Sequence, residues 1–241
     1  MINLPEVITH KNVAISEAIF SSNNPYEIPM LKEDMQAQML VEPCLIWGEI
    51  SRKKKTGGTY FFYTDDYRFE QLWKSPEDLL KTGCVNACEP NFSCYDTTPF
   101  AVVMYQIYRK RWLARLWQEA GVRVLVDLNV TVKYYEYNLI GVPRGWRAYV
   151  TRGYGEHLDD IRMEYEAACA WAGTRDILFV VYGGGKKIKA LQEEFPFVHL
   201  IDRNVRIQQQ TKQLKDLNLP LKLASNMKEF NPFILGEGKN D

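Results

Sequence analysis

The chain has no surplus of either charge. Its 241 residues carry 30 Lys and Arg against 30 Asp and Glu. Nucleic-acid binding by bulk electrostatics alone scales with the phosphates neutralised, so a purely electrostatic binder is excluded, whereas a local basic face is not. No apolar run approaches the roughly 20 residues needed to cross a bilayer. Residues Met1 to Asn12 hold no cationic region followed by an apolar core, so no signal peptide is expected. The three histidines, His10, His157 and His199, lie far apart and form no motif. A nucleophile elbow, an HExxH helix and an EF-hand loop are all missing. The expectation is a cytoplasmic protein with no membrane partner.

Cysteine is sparse and unpatterned. Cys44, Cys84, Cys88, Cys94 and Cys169 are odd in number and scattered, unlike a secreted disulfide framework. Cys84, Cys88 and Cys94 make a C-x3-C-x5-C group. Zinc sites use tighter pairs in two separated sets, and no second set exists. Buried free thiols near a strand are the better reading.

What the chain does have is apolar residues, 46% of the total, enough for one sizeable domain. It is organised around Ser93 to Val132. Asp96 or Thr97 can cap a helix, and Pro99 suits its first turn. The helix should run from Phe100 to Ala120, with Val103, Ile107, Leu113 and Leu116 near one stripe. Gly121 ends it as a residue able to take positive φ. Val122–Val132 is rich in β-branched residues and nearly all apolar within, which suits a parallel strand covered on both faces. Strand, helix and strand in this order make a right-handed βαβ unit.

Further strands are expected over residues 45–50, 59–64, 85–93, 146–151, 176–182 and 198–201. Helices are expected over 75–83, 157–173, 186–194 and 204–217, the second with Met163, Ala167 and Ala170 on one face. Residues 1–40 read as an arm or lid, 41–224 as the α/β domain and 225–241 as a polar tail. Strands alternating with helices argue for an α/β fold with a mostly parallel sheet. It is either an irregular (β/α) barrel, the preferred alternative, or an open doubly wound sheet.

In both, sites form at the C-terminal ends of the strands. Those ends carry Asp65, Asp66 and Arg68; Cys94, Tyr95 and Asp96; Asp127 and Asn129; Arg152 and Tyr154; Gly183 to Lys187; and Asp202 with Arg203. Carboxylates converging with arginines suit a divalent metal such as magnesium together with a phosphate. Asp65 and Asp66, with Asp127, are the expected metal ligands; Arg68, Arg109 and Lys186 are the expected phosphate contacts. Gly183, Gly184 and Gly185 before Lys186 let the backbone approach an anion, although the spacing is not that of a Walker A loop. The long helix interleaves Arg109, Lys110, Arg111 and Arg115 with Tyr105, Tyr108, Trp112 and Trp117. Such a face stacks bases and binds phosphates. The commoner reading puts the aromatics in the core and the cations in solvent.

Five segments together resemble a known family. They are Asn24 to Pro29 (NPYEIP), Phe61 to Glu70 (FFYTDDYRFE), Pro90 to Ser93 (PNFS), Tyr108 to Arg111 (YRKR) and Gly141 to Gly145 (GVPRG). The chain is similar to domain-of-unknown-function family 4417, of bacteria and their phages, over roughly residues 24–200. Asn91 stands where that family usually has Asp. The resemblance implies a phage or mobile-element setting in a bacterial host cell, and directs attention to Asp65, Asp66, Arg68, Glu70, Ser93, Arg109 and Arg111. Two functional classes follow. One is a metal-assisted hydrolase or transferase on a nucleotide or nucleic-acid phosphate ester. Asp65, Asp66, Glu70 and Asp127 would be catalytic, and Arg68, Arg109, Arg111, Arg152 and Gly183 to Lys186 would hold phosphate. The other is a non-catalytic binder of nucleic acid or of a host protein, using the helix 100–120 and the loop Lys53 to Lys55.

Overall fold

The computed structural model describes residues 20–48, 55–155 and 157–200. Seven short strands are present: β1 (Cys44–Ile46), β2 (Thr59–Phe61), β3 (Asn86–Cys88), β4 (Arg123–Asp127), β5 (Ala148–Arg152), β6 (Leu178–Tyr182) and β7 (Val198–Leu200). All pair in parallel, and their order in the sheet is their order in the chain. A doubly wound sheet reverses its strand order at a switch point; this one never does. The sheet curls into a half-barrel. Two ring contacts measure the curl. Phe61 of β2 and Tyr63, two residues beyond it, stack on Tyr182 of β6 with centroids 5.8 and 5.6 Å apart. In a flat sheet those strands would lie about 19 Å apart, four strand spacings.

The helices are α1 (Gln71–Lys74), α2 (Glu77–Leu80), α3 (Phe100–Glu119), α4 (Tyr135–Asn138), α5 (Leu158–Ala172) and α6 (Lys186–Ala190). α3 is the expected long helix, and Gly121 follows it at φ 90°. Its start differs from expectation. Neither Asp96 nor Thr97 caps it, because the preceding turn closes on itself: the Tyr95 amide donates to Thr98 Oγ1 (2.9 Å) and the Thr98 amide to the Tyr95 carbonyl (2.9 Å). Pro99 is left at the cap, where its carbonyl accepts from Val102 and Val103. β4 also stops earlier than expected, at Asp127. There Asp127 Oδ1 accepts from the Asn129 amide at 3.2 Å and turns the chain out of the sheet.

From Arg109 to Gln118, α3 is buried on every side. The four cations expected in solvent are therefore inside. Arg109 pairs with Glu70, Lys110 with Asp127 (3.2 Å), Arg111 with Glu89 and Arg115 with Glu119. Each withdrawn charge costs several kcal/mol unless an opposite charge and hydrogen bonds replace its water. The partners of Arg109, Lys110 and Arg111 come from distant parts of the chain, which is why local charge patterning misplaces those three.

Residues 20–40 pack on the same body. The Leu31 amide donates to the Gly141 carbonyl (2.9 Å), and Gln118 Nε2 donates to the carbonyls of Lys32 and Met35. The expected strand residues Glu49 and Ile50, the Lys53–Lys54 part of the cationic loop, Asp202 with Arg203, the helix 204–217 and the tail 225–241 lie outside the described residues. Among the described residues, no helix is long and apolar enough to cross a membrane.

Candidate functional site

The C-terminal ends of the middle strands surround a cavity of about 810 Å³, within the usual range for a small-molecule site. Tyr63, Thr64 and Asp65 reach it beyond β2, and Asn91, Ser93 and Cys94 beyond β3. The turn Asn129 to Val132 follows β4, Arg152 ends β5, and α5 brings Asp160 and Glu164.

Behind the β2–β4 side of the cavity sits Asp127, fully buried. Its Oδ1 accepts from the Tyr63 hydroxyl (2.8 Å). Its Oδ2 accepts from Asn91 Nδ2 (3.0 Å) and Lys110 Nζ (3.2 Å). Burial first, and then the Asp127 charge, push the Tyr63 hydroxyl well above its ordinary pKa of 10, so it keeps its proton. Asp66 plays a similar part beside β3, accepting from the Ser93 amide (3.0 Å) and hydroxyl (2.9 Å). Deeper still, Arg111 donates to Glu89 and to the carbonyls of Ile140 (3.1 Å) and Asn138 (2.6 Å). Burial pushes the Glu89 carboxyl upward, and the Arg111 guanidinium pulls it back.

On the opposite wall Glu164 is 4% exposed, and its Oε2 has no hydrogen-bond partner. Burial lifts its carboxyl from 4.5 to about 8. The charges of Asp127 and Asp160 add to the rise, and the hydroxyls of Thr151 and Tyr135 oppose it. A carboxyl that is buried, carries no cation partner among the described residues and is poised near neutral pH inside a cleft is the pattern of a proton-handling group.

The expected site residues divide into three groups. Asp65 and Arg152 line the cavity, and the Arg152 guanidinium lies 5.2 Å from the Tyr154 ring centroid. Asp66 and Asp127 stand behind its wall. The rest lie elsewhere: Glu70 and Arg109 pair beside Phe92, Arg111 is buried on α3 against Glu89, and Arg68 lies 3.8 Å from Asp65 and over Tyr67. Gly183, Gly184, Gly185 and Lys186 form the turn from β6 into α6, away from the cavity lining. There the Gly183 amide donates to the Leu200 carbonyl at 2.7 Å. Among the described residues, no group of three or more His, Cys, Asp or Glu side chains is placed to hold a metal ion.

Glu164 escaped the sequence because the helix face was mis-phased. The buried stripe of α5 is Ile161, Glu164, Tyr165, Ala168, Cys169 and Ala172, which takes in none of the expected Met163, Ala167 and Ala170, and Met163 is 42% exposed. The signal was the 3–4 spacing Ile161, Tyr165, Ala168, Ala172, a face on which the acid at position 164 also falls.

The family model described as "Domain of unknown function (DUF4417)" matches residues 20–158. The chain belongs to this family. The matched stretch holds β1 to β5 and, with them, Tyr63, Asn91, Ser93, Asp127 and Arg152; Glu164 lies just beyond it. The chain is 34% identical over 133 residues to the "Gene 1 protein" of Mycobacterium phage D29, covering 52% of this chain and 48% of the relative. It is 33% identical over 135 residues to the "Gene 1 protein" of Mycobacterium phage L5, with coverages of 52% and 56%. The chain thus spans about half the length of the curated relatives it matches. Both are phage proteins, in keeping with the setting its motifs implied. No solved structure matches the chain.

Proposed function

We propose that this family member is an enzyme that acts on a nucleotide by general acid–base catalysis at the mouth of the half-barrel. The reading rests on one observation: Glu164, withdrawn from water with Oε2 unpartnered, borders the cavity. A carboxyl titrating near neutrality can take a proton from an attacking water or give one to a leaving oxygen. Arg152, in the same lining, supplies a cation for a phosphate, and the exposed rings of Tyr95 and Tyr154 offer faces for a base. A divalent ion would enter with the ligand's phosphate, as magnesium commonly does, keeping waters and adding one carboxylate such as Asp65. The non-catalytic alternative, a nucleic-acid surface on α3, finds less support, because the basic side chains of that helix are buried in ion pairs.

The test is incubation of the purified chain with ribo- and deoxyribonucleotides, with magnesium or with EDTA, followed by mass spectrometry of the products. Turnover of at least one nucleotide, reduced 100-fold or more in Glu164→Gln, is expected. Absence of turnover for every nucleotide tried, under both conditions, would overturn the enzymatic reading.

A further inference from the structure

The wall formed after β2, β3 and β4 has a polarity of its own. Four of its polar side chains spend protons on partners within the wall, while the Thr131 hydroxyl has no hydrogen-bond partner. Tyr63 donates its hydroxyl proton to Asp127 Oδ1 (2.8 Å). Ser93 donates its hydroxyl proton to Asp66 Oδ1 (2.9 Å). Asn91 donates from Nδ2 to Asp127 Oδ2 (3.0 Å) and to the Asn129 carbonyl (2.9 Å). Because both of those partners are acceptors, the amide nitrogen, and not the oxygen, must face them. Asn129 donates from Nδ2 to Asn91 Oδ1 at 3.1 Å. What remains for a ligand is mostly oxygen lone pairs: one each on Tyr63 Oη and Asn91 Oδ1, and those of Ser93 Oγ and Asn129 Oδ1. Asp66 and Asp127 thus act as proton sinks behind the wall and fix its outward face as an acceptor. The unpartnered Oε2 of Glu164 borders the same cavity and independently marks it as built for a ligand.

We propose that Tyr63, Asn91, Ser93 and Asn129 form a hydrogen-bond-acceptor face that recognises the exocyclic amine of a nucleobase. The proposal rests on the nucleotide reading above and names the part of the nucleotide that this wall selects. An amine presents N–H groups to the lone pairs. A carbonyl at the same position presents a lone pair to lone pairs, and leaves both sides without partners. Sites built to hydrogen-bond one ligand group reject analogues that lack it more strongly than apolar pockets reject a missing methylene.

The experiment is isothermal titration calorimetry of the full chain with two matched pairs, AMP against IMP and CMP against UMP. Within each pair the amine is exchanged for a carbonyl. At least one amino nucleotide should bind tenfold or more tightly than its oxo partner. Equal affinities, or a preference for the oxo partner, would overturn the acceptor face while leaving the nucleotide reading intact. Failure of all four to bind at millimolar concentration would overturn both. Tyr63→Phe removes one lone-pair site and should weaken the amino nucleotide about tenfold without changing the oxo partner. Ser93→Ala does the same at a half-buried position where the backbone amide still holds Asp66, so a loss of fold in the first variant leaves the second to decide. An equal loss for both members of a pair in the folded variant would overturn the proposal.

Discussion

Lys110 Nζ and Asp127 Oδ2 stand 3.2 Å apart with both side chains withdrawn from solvent. One comes from the middle of α3 and the other from the last residue of β4, and the cavity wall hangs on the carboxylate between them. Removing one member of a buried pair is more costly than the pair is worth, because the other charge stays buried without compensation. Lys110→Met should therefore lower the unfolding free energy by about 3–5 kcal/mol. The double variant Lys110→Met with Asp127→Asn should recover part of that loss. Urea denaturation of the two singles and the double tests the coupling.

Glu164 gives the fold a pH dependence. Its carboxyl sits near 8 in the folded chain against 4.5 in an ordinary setting, so the folded state holds the proton more tightly than the unfolded state. The resulting stabilisation is complete below about pH 4.5 and is lost as pH rises through about 8. The swing is about 5 kcal/mol. In Glu164→Gln this component should vanish, leaving the variant more stable than the parent at pH 8–9. Thermal unfolding of both proteins from pH 5 to pH 9 checks the sign and the window.

Gly141 opens the GVPRG segment at φ 81°, and a Cβ there would meet the Pro29 carbonyl oxygen at 2.3 Å. That oxygen belongs to backbone, and two residues on the Leu31 amide already donates to the Gly141 carbonyl at 2.9 Å. Gly141→Ala should cost roughly 3 kcal/mol, through a clash and a left-handed conformation that alanine disfavours. The midpoint of urea unfolding is the readout. Gly121, at φ 90° with open space around it, should lose less on the same change.

Arg152→Ala separates recognition from folding. The side chain is half-buried at the cavity, and its removal should leave stability within about 0.5 kcal/mol. Loss of a charge-assisted contact to phosphate should weaken AMP about 10- to 100-fold, and adenosine, which has no phosphate, should bind the variant and the parent alike. Calorimetry with the two ligands makes the comparison.

Much of the fold was legible because strand identity is local. The β-branched and aromatic runs that became β2, β4 and β6 announce themselves, and Pro99 and Gly121 bracket α3. The curl was legible only as a preference, since strand order depends on how the crossovers pack. The mouth of the half-barrel was legible as a place, and Asp65 and Arg152 were named for it. Its wall was not. Asp66 and Asp127 look like open carboxylates until Ser93, Tyr63, Asn91 and Lys110 are seen to occupy them. Glu164 occupies an inward helical position that an apolar residue usually holds, and a hydrophobic pattern passes over it.

The most direct measurement is the titration of Glu164 itself, followed by the ¹³Cδ shift of labelled glutamate and assigned by comparison with Glu164→Gln. The expected midpoint is near 8. A midpoint near 4.5, the value of an ordinary solvated glutamate, would contradict it.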